Sequence, residues 1–377
     1  MRIDKPFAYG IQVSGNLFTD REEETVRLKN NFLFGINTIL ISPRRYGKTS
    51  LVNRVCEELK TEEIRIARLD VFGCRSQEEF LDAFATAVIK ATSTRWEEWM
   101  ENLKQFLSRL VPRVCIGTDP LNEFSISLDY QGVQGTVEEI LDLPETIAQH
   151  KGYRIVVCID EFQQLGLFPD SLAFQKLLRS RWQLQKKVSY CVFGSKKTMM
   201  ESIFGKPNDP FYKFGDLLYL STIESGKWVD FIIRRFEATG KNIPSEIAEE
   251  IVTTVQAHSS YVQQLSWLVW VNTKKVATHD SFKTGLDTLL RDCEPLFVNQ
   301  TENLPKAQMR LLHAVANGAV SGLTRQDTMR RYNLGVSANI IKSKKALIDR
   351  DILFADEKSL QFCDPVLALW LRIHPTT

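Results

Sequence analysis

The sequence predicts an α/β fold: a parallel sheet flanked by helices, then an all-helical segment, then a C-terminal winged helix. Three observations predict it. Apolar strands alternate with amphipathic helices between residues 21 and 220, the pattern of a parallel sheet with crossover helices. A loop ending in Gly-Lys-Thr joins the first strand to its helix. Residues 305–377 read as three helices, two short strands and a last helix.

The elements follow in order. Residues 21–34 (REEETVRLKNNFLF) form an amphipathic helix whose early acidic residues complement the helix dipole. The apolar run 38–41 is a strand, and a helix runs over about 48–60. Strand 64–71 and helix 76–90 come next. The stretch from about 93 to 135 reads as an insertion, with a helix at Trp96 and Trp99 and a hairpin pairing 113–116 with 123–128. Alternation resumes with helix 136–150, strand 154–159, helix 171–185, strand 188–193 and a last strand at 217–220. From 225 to 299 only helical patterns occur, and Asn303–Pro305 breaks them.

Composition narrows the class. Of 377 residues, 44% are hydrophobic and 25% charged, which excludes fibrous and wholly disordered chains. Net charge is only +2, so a nucleic-acid coat is excluded and basic surface must come from local segregation. Seven scattered cysteines without a C-x-x-C pair signal neither a zinc ribbon nor a disulfide framework. With no leader pattern at the N-terminus and no long apolar run, the expectation is a cytoplasmic protein without a membrane partner.

The strongest chemical signal is Ser42-Pro-Arg-Arg-Tyr-Gly-Lys-Thr49, a Walker A loop between strand and helix. Such a loop turns backbone N–H groups toward phosphate oxygens at a positive helix N-terminus. Pro43, Arg44, Arg45, Tyr46, Gly47, Lys48, Thr49 and Ser50 are the candidate nucleotide-binding residues. Lys48 reaches the β/γ-phosphates and Thr49 ligates Mg2+; Ser42 stands where the usual pattern has Gly. The run Ile155-Val-Val-Cys-Ile-Asp-Glu-Phe162 places Asp160 and Glu161 at the C-terminal end of a buried strand, where open α/β sheets bind ligands. Asp160 is the candidate for the metal shell, and Glu161 is the candidate base for an attacking water. Strand 188–193 leads into Gly194-Ser195-Lys196-Lys197, with Ser195 the candidate polar contact to γ-phosphate or water.

Several segments together resemble the archaeal/bacterial ATPase family of the STAND branch of AAA+-like P-loop ATPases. They are Phe18-Thr-Asp-Arg-Glu-Glu-Glu24, Ile41-Ser-Pro-Arg-Arg-Tyr-Gly-Lys-Thr-Ser-Leu51, Ile159-Asp-Glu-Phe-Gln163 and Phe193-Gly-Ser195. Phe231-Ile-Ile-Arg-Arg-Phe236 and His258-Ser-Ser-Tyr-Val-Gln-Gln-Leu265 resemble the family's helical lid, and the C-terminus resembles a winged helix. The resemblance implies a P-loop NTPase core over 1–224, a helical lid over 225–302 and a winged helix over 303–377. It implies ATP as the nucleotide, Mg2+ as cofactor, and hydrolysis to ADP and phosphate. It also implies a nucleotide-binding role for Arg21. The family pattern has Gly where Asp20 stands and Gly-His-Pro where Ala257-His258-Ser259 stands.

Residues 305–350 carry nine basic and two acidic side chains, a net +7 in a chain whose total is +2. Residues 324–332 and 337–349 fit the second and third helices of a helix-turn-helix around Leu334-Gly335, with 351–355 and 359–362 as the wing. Asn339, Lys342 and Lys345 would then face duplex DNA through segment 323–350. Two readings result. One is an ATP-hydrolysing switch that engages a protein partner through the winged helix. The other is an ATP-regulated duplex DNA-binding protein of the origin-recognition or transposition-helper kind. Both are compatible with oligomerisation.

Overall fold

A computed structural model describes residues 5–8, 10, 13, 15–59, 63–93, 98, 101, 105, 112–115, 125–128, 136–356 and 359–374. The chain divides into two compact units. One comprises Arg21–Pro43 and Lys48–Ser221; the other comprises Met1–Asp20, Arg44–Gly47 and Thr222–Thr377.

The sheet unit opens with α1 (Glu22–Phe34), which begins on three glutamates and ends at Gly35 in a left-handed conformation. The elements β1 (Thr38–Ile41), α2 (Lys48–Glu58), β2 (Ile64–Asp70) and α3 (Gln77–Thr92) follow. The strands β3 (Pro112–Cys115) and β4 (Ser125–Leu128) pair antiparallel, as the hairpin reading requires. The expected Trp96/Trp99 helix and the turn at 117–122 lie outside the described residues. Next come α4 (Thr136–Lys151), β5 (Arg154–Asp160), α5 (Ser171–Trp182), β6 (Val188–Gly194), α6 (Lys197–Phe204) and β7 (Asp216–Tyr219).

Five strands form one sheet in the order β2-β5-β6-β1-β7, every pair parallel. The inner strand β6 is buried throughout, as is β5 from Ile155 to Ile159, which explains their unbroken apolar sequences. Trp182 stacks on Tyr190 at 4.0 Å and meets Phe84, Phe162 and Phe211, so one aromatic cluster ties α5 to the sheet. A polar latch holds the other edge. Asn31 donates to the Thr38 hydroxyl and to Asp216, and Arg27 pairs with Asp216, holding its carboxyl below the usual range.

The second unit contains the lid helices α7 (Ser225–Glu237), α8 (Ser245–Thr254), α9 (Ser259–Val271) and α10 (His279–Thr301). The N-terminal strap belongs with them. Phe7 is buried edge-on against Phe231 and Phe236, and Arg235 donates to the carbonyls of Lys5 and Pro6. Gln263 accepts from the Ala8 N–H and donates to the Leu17 carbonyl. The winged helix consists of α11 (Lys306–Ala316), α12 (Gln326–Arg331), α13 (Ser337–Asp349), the paired strands β8 (Leu353–Asp356) and β9 (Ser359–Phe362), and α14 (Pro365–Ile373). Helix α12 is shorter than the 324–332 reading, because Gly322 at φ +62 and extended Arg325 delay its start. No helix among the described residues is long and apolar enough to cross a membrane.

The aromatic cluster yields a stability test. Trp182→Ala should cost the protein about 3–5 kcal/mol, seen as a lowered midpoint in chemical denaturation followed by far-UV circular dichroism.

Candidate active site

The site is built at the C-terminal ends of three adjacent strands. Strand β1 runs into Ser42, β5 into Glu161 and β6 into Ser195; the register pairs Ile41 with Gly194 and Ile159 with Val192. Lys48 opens α2, and Thr49 follows on its exposed side. Lys48 is buried, and its ammonium donates to the Ser42 carbonyl at 3.2 Å and the Pro43 carbonyl at 3.0 Å. Phosphate oxygens would offer it charged acceptors instead of neutral ones, which strengthens each bond. Ser42 keeps a negative φ, so the glycine usual at that position is not needed here.

Asp160 accepts the Thr49 hydroxyl at 3.0 Å and the backbone N–H of Glu161 at 2.8 Å. Burial pushes its carboxyl up to about 6, although both hydrogen bonds pull the other way. A desolvated carboxylate beside a hydroxyl is a pair of hard oxygen donors in want of a cation, which suits Mg2+. Among the described residues no group of three or more His, Cys, Asp or Glu could hold a metal by itself.

Glu161 sits at φ +54, a left-handed conformation that turns the chain sharply off β5 into a 3-10 helix (Phe162–Leu167). Its Oε2 accepts from Ser195 Oγ at 2.9 Å and from the Gln163 amide. Ser195 is buried at the end of β6. The structure thus gathers Lys48, Thr49, Asp160, Glu161 and Ser195 in one unit, with Ser50 buried on α2 behind them. Gln163 is the member of the cluster that sequence reasoning missed as a site residue. Its only sequence signal is its place in the Ile159-Asp-Glu-Phe-Gln163 run.

The apical residues Arg44–Gly47 belong to the other unit. Arg44 and Arg45 are exposed, Arg45 and Gly47 are left-handed at φ +64 and +90, and the Tyr46 ring meets His258 edge-on at 5.4 Å. Burial pushes His258 down to about 4, so its ring is neutral at pH 7. Arg21, expected at the nucleotide, is buried in the sheet unit, bonded to Glu24 at 3.0 Å and to the Ser221 carbonyl at 2.5 Å. Arg234 bonds to the Asp230 carbonyl within α7.

A family model described as a probable winged helix domain matches residues 295–373. A Walker-type ATPase of Pyrococcus abyssi is similar over 97% of this chain and 99% of its own, with a TM-score of 0.69 at 16% identity. The chain has the fold of a P-loop ATPase with a helical lid and a C-terminal winged helix. The ORC2 protein of Aeropyrum pernix is also similar. Its ADPNP-ADP complexes match 98% of this chain and 99% of that one, with a TM-score of 0.57 at 13% identity. Its ADP form gives 0.55 at 14% identity, over 99% and 98%. At such identities the likeness speaks for fold. No curated protein matches the chain in sequence.

The Asp160 environment carries a pH prediction. Its folded value lies above the unfolded 3.8, so ionising it costs stability as pH rises from about 4 to 6, in full above that. Asp160→Asn should therefore gain stability relative to the wild type across that window, by roughly 3 kcal/mol at most. Thermal melts without divalent cation, from pH 4 to 7, measure the gap.

Proposed function

We propose that the protein is a Mg·ATP-binding and hydrolysing molecular switch of the AAA+/STAND-like kind, whose nucleotide state controls how the winged helix engages a partner. The observation that carries this reading is the convergence of Lys48, Thr49, Asp160, Glu161 and Ser195 at three adjacent strand ends. In this reading Pro43, Arg44, Arg45, Tyr46, Gly47 and Ser50 complete the loop around the phosphates, and Arg21, just ahead of α1, belongs to the nucleotide-binding set. Lys48 binds the β/γ-phosphates. Thr49 and Asp160 hold the Mg2+, which neutralises phosphate charge when bound. Glu161 takes a proton from the attacking water, and Ser195 orients that water or the γ-phosphate. The products are ADP and phosphate.

Two variants test this reading. Lys48→Ala should lose ATP binding in calorimetry. Glu161→Gln should keep binding while phosphate release falls at least ~100-fold. A Lys48→Ala protein that binds and hydrolyses normally would sink the proposal.

A second reading, regulated binding of duplex DNA, is favoured by one surface. On α13, Ile340, Ser343 and Leu347 face inward, leaving Ala338, Ile341, Lys342 and Lys345 on the open side. Arg325, Arg330 and Arg331 are exposed nearby in sequence, and among the described residues Lys342, Lys344 and Lys345 form no ion pair. A helix so placed offers lysines to phosphates and the Ile341 side chain to a base methyl group. Replacing Lys342, Lys344 and Lys345 with Ala together should weaken duplex binding. It should also flatten the slope of log affinity against log salt by about 2–3. A slope that does not move argues for the protein-docking reading.

A further inference from the structure

Glu161 reaches the site on a short chain of restraints, and its other neighbour is Gln163. Gln163 is only 3% exposed, fixed in the 3-10 turn between the buried side chains of Phe162 and Leu165. Its amide nitrogen donates to Glu161 Oε2, while its Oε1 is buried and accepts no hydrogen bond among the described residues. The amide also fills the space beside Gly194, where a Cβ would lie 1.9 Å from Gln163 Oε1. The two observations belong together. The end of β6 lacks a side chain so that the amide can lie beneath it, aimed at the carboxylate.

We propose that Gln163 is the positioning residue for Glu161. The inference rests on the reading of Glu161 as the base. Ser195 and Gln163 share Oε2, but they differ in kind. Ser195 stands at a strand end, and its hydroxyl is the group assigned to water or phosphate. Gln163 is held by packing and, among the described residues, has Glu161 as its sole side-chain hydrogen-bond partner. When Ser195 turns to the phosphate, Gln163 keeps Oε2 in place. Glu161 Oε1, which no hydrogen bond reaches among the described residues, is left to accept the proton from water. A packing role alone does not account for this residue. A buried amide oxygen without a partner costs stability, and a methionine of similar length would fill the space without that cost. A buried polar atom left unpaired at such a point accords with a functional role.

The test is a double-mutant cycle on the full chain, reading single-turnover phosphate release, ATP affinity and melting temperature. Gln163→Met should melt at or above the wild-type temperature and bind ATP with unchanged affinity. Its turnover should fall ~10–100-fold, as expected when a reacting group is misplaced by about 1 Å. In the Glu161→Gln background the same change should cost nothing further, because Gln163 acts only through Glu161. Gly194→Ala provides a second route, since it displaces the amide without removing it and should lower turnover at unchanged affinity. Wild-type turnover by Gln163→Met, or an equal loss in both backgrounds, would overturn the positioning role. Normal turnover by Glu161→Gln would instead remove the base assignment beneath it.

Discussion

The insertion of β6 between β1 and β5, parallel to both, is the pairing on which the site depends. The register that sets Ile41 beside Gly194 and Ile159 beside Val192 ends the three strands together, so Ser42, Glu161 and Ser195 emerge side by side. Burial on both faces makes that register hard to change, because a slip would move every side chain of β6 to the wrong layer. The same pairing explains the glycine at 194. A β6 end bearing a side chain would expel the Gln163 amide and release the carboxylate it holds.

Backbone strain gathers where chemistry is expected. Glu161 and Arg45 both adopt left-handed conformations, which cost an L-residue roughly 1–2 kcal/mol each. Such a cost persists only where the surroundings enforce it, and at Glu161 the enforcing groups are the Asp160 carboxylate, Ser195 and Gln163. The positions where the family pattern carries glycine behave the same way. Asp20 has φ +57 and Ala257 φ +52, so the left-handed geometry survives although the permissive residue is gone.

In the second unit, a continuous core runs from the strap residue Phe7 through the lid helices to the winged helix. Helix α10 contributes Leu289, Cys293 and Phe297 to it, and Phe297 meets Trp370 of α14. Asp364 has a double role there, capping α14 through the N–H groups of Val366 and Leu367 and accepting the Tyr261 hydroxyl at 2.6 Å. Lid and winged helix share buried polar and apolar contacts, so a change in one has a direct physical route to the other.

Much of this was legible in the sequence. Unbroken apolar runs determined β5 and β6, because inner parallel strands are buried on both faces. The Gly-Lys-Thr loop and the Asp-Glu pair determined the candidate chemistry, because each occupies a strand end within a few residues. The hairpin and the wing were equally readable from their short apolar runs. Strand order was not, since local pattern carries no record of which strands become neighbours. Only the tertiary structure decided that Ser195 and Gln163 meet on one oxygen of Glu161. It also decided that Arg21, which resemblance directs to the nucleotide, bonds Glu24 and the Ser221 carbonyl. These are long-range pairings, and packing rather than propensity selects them.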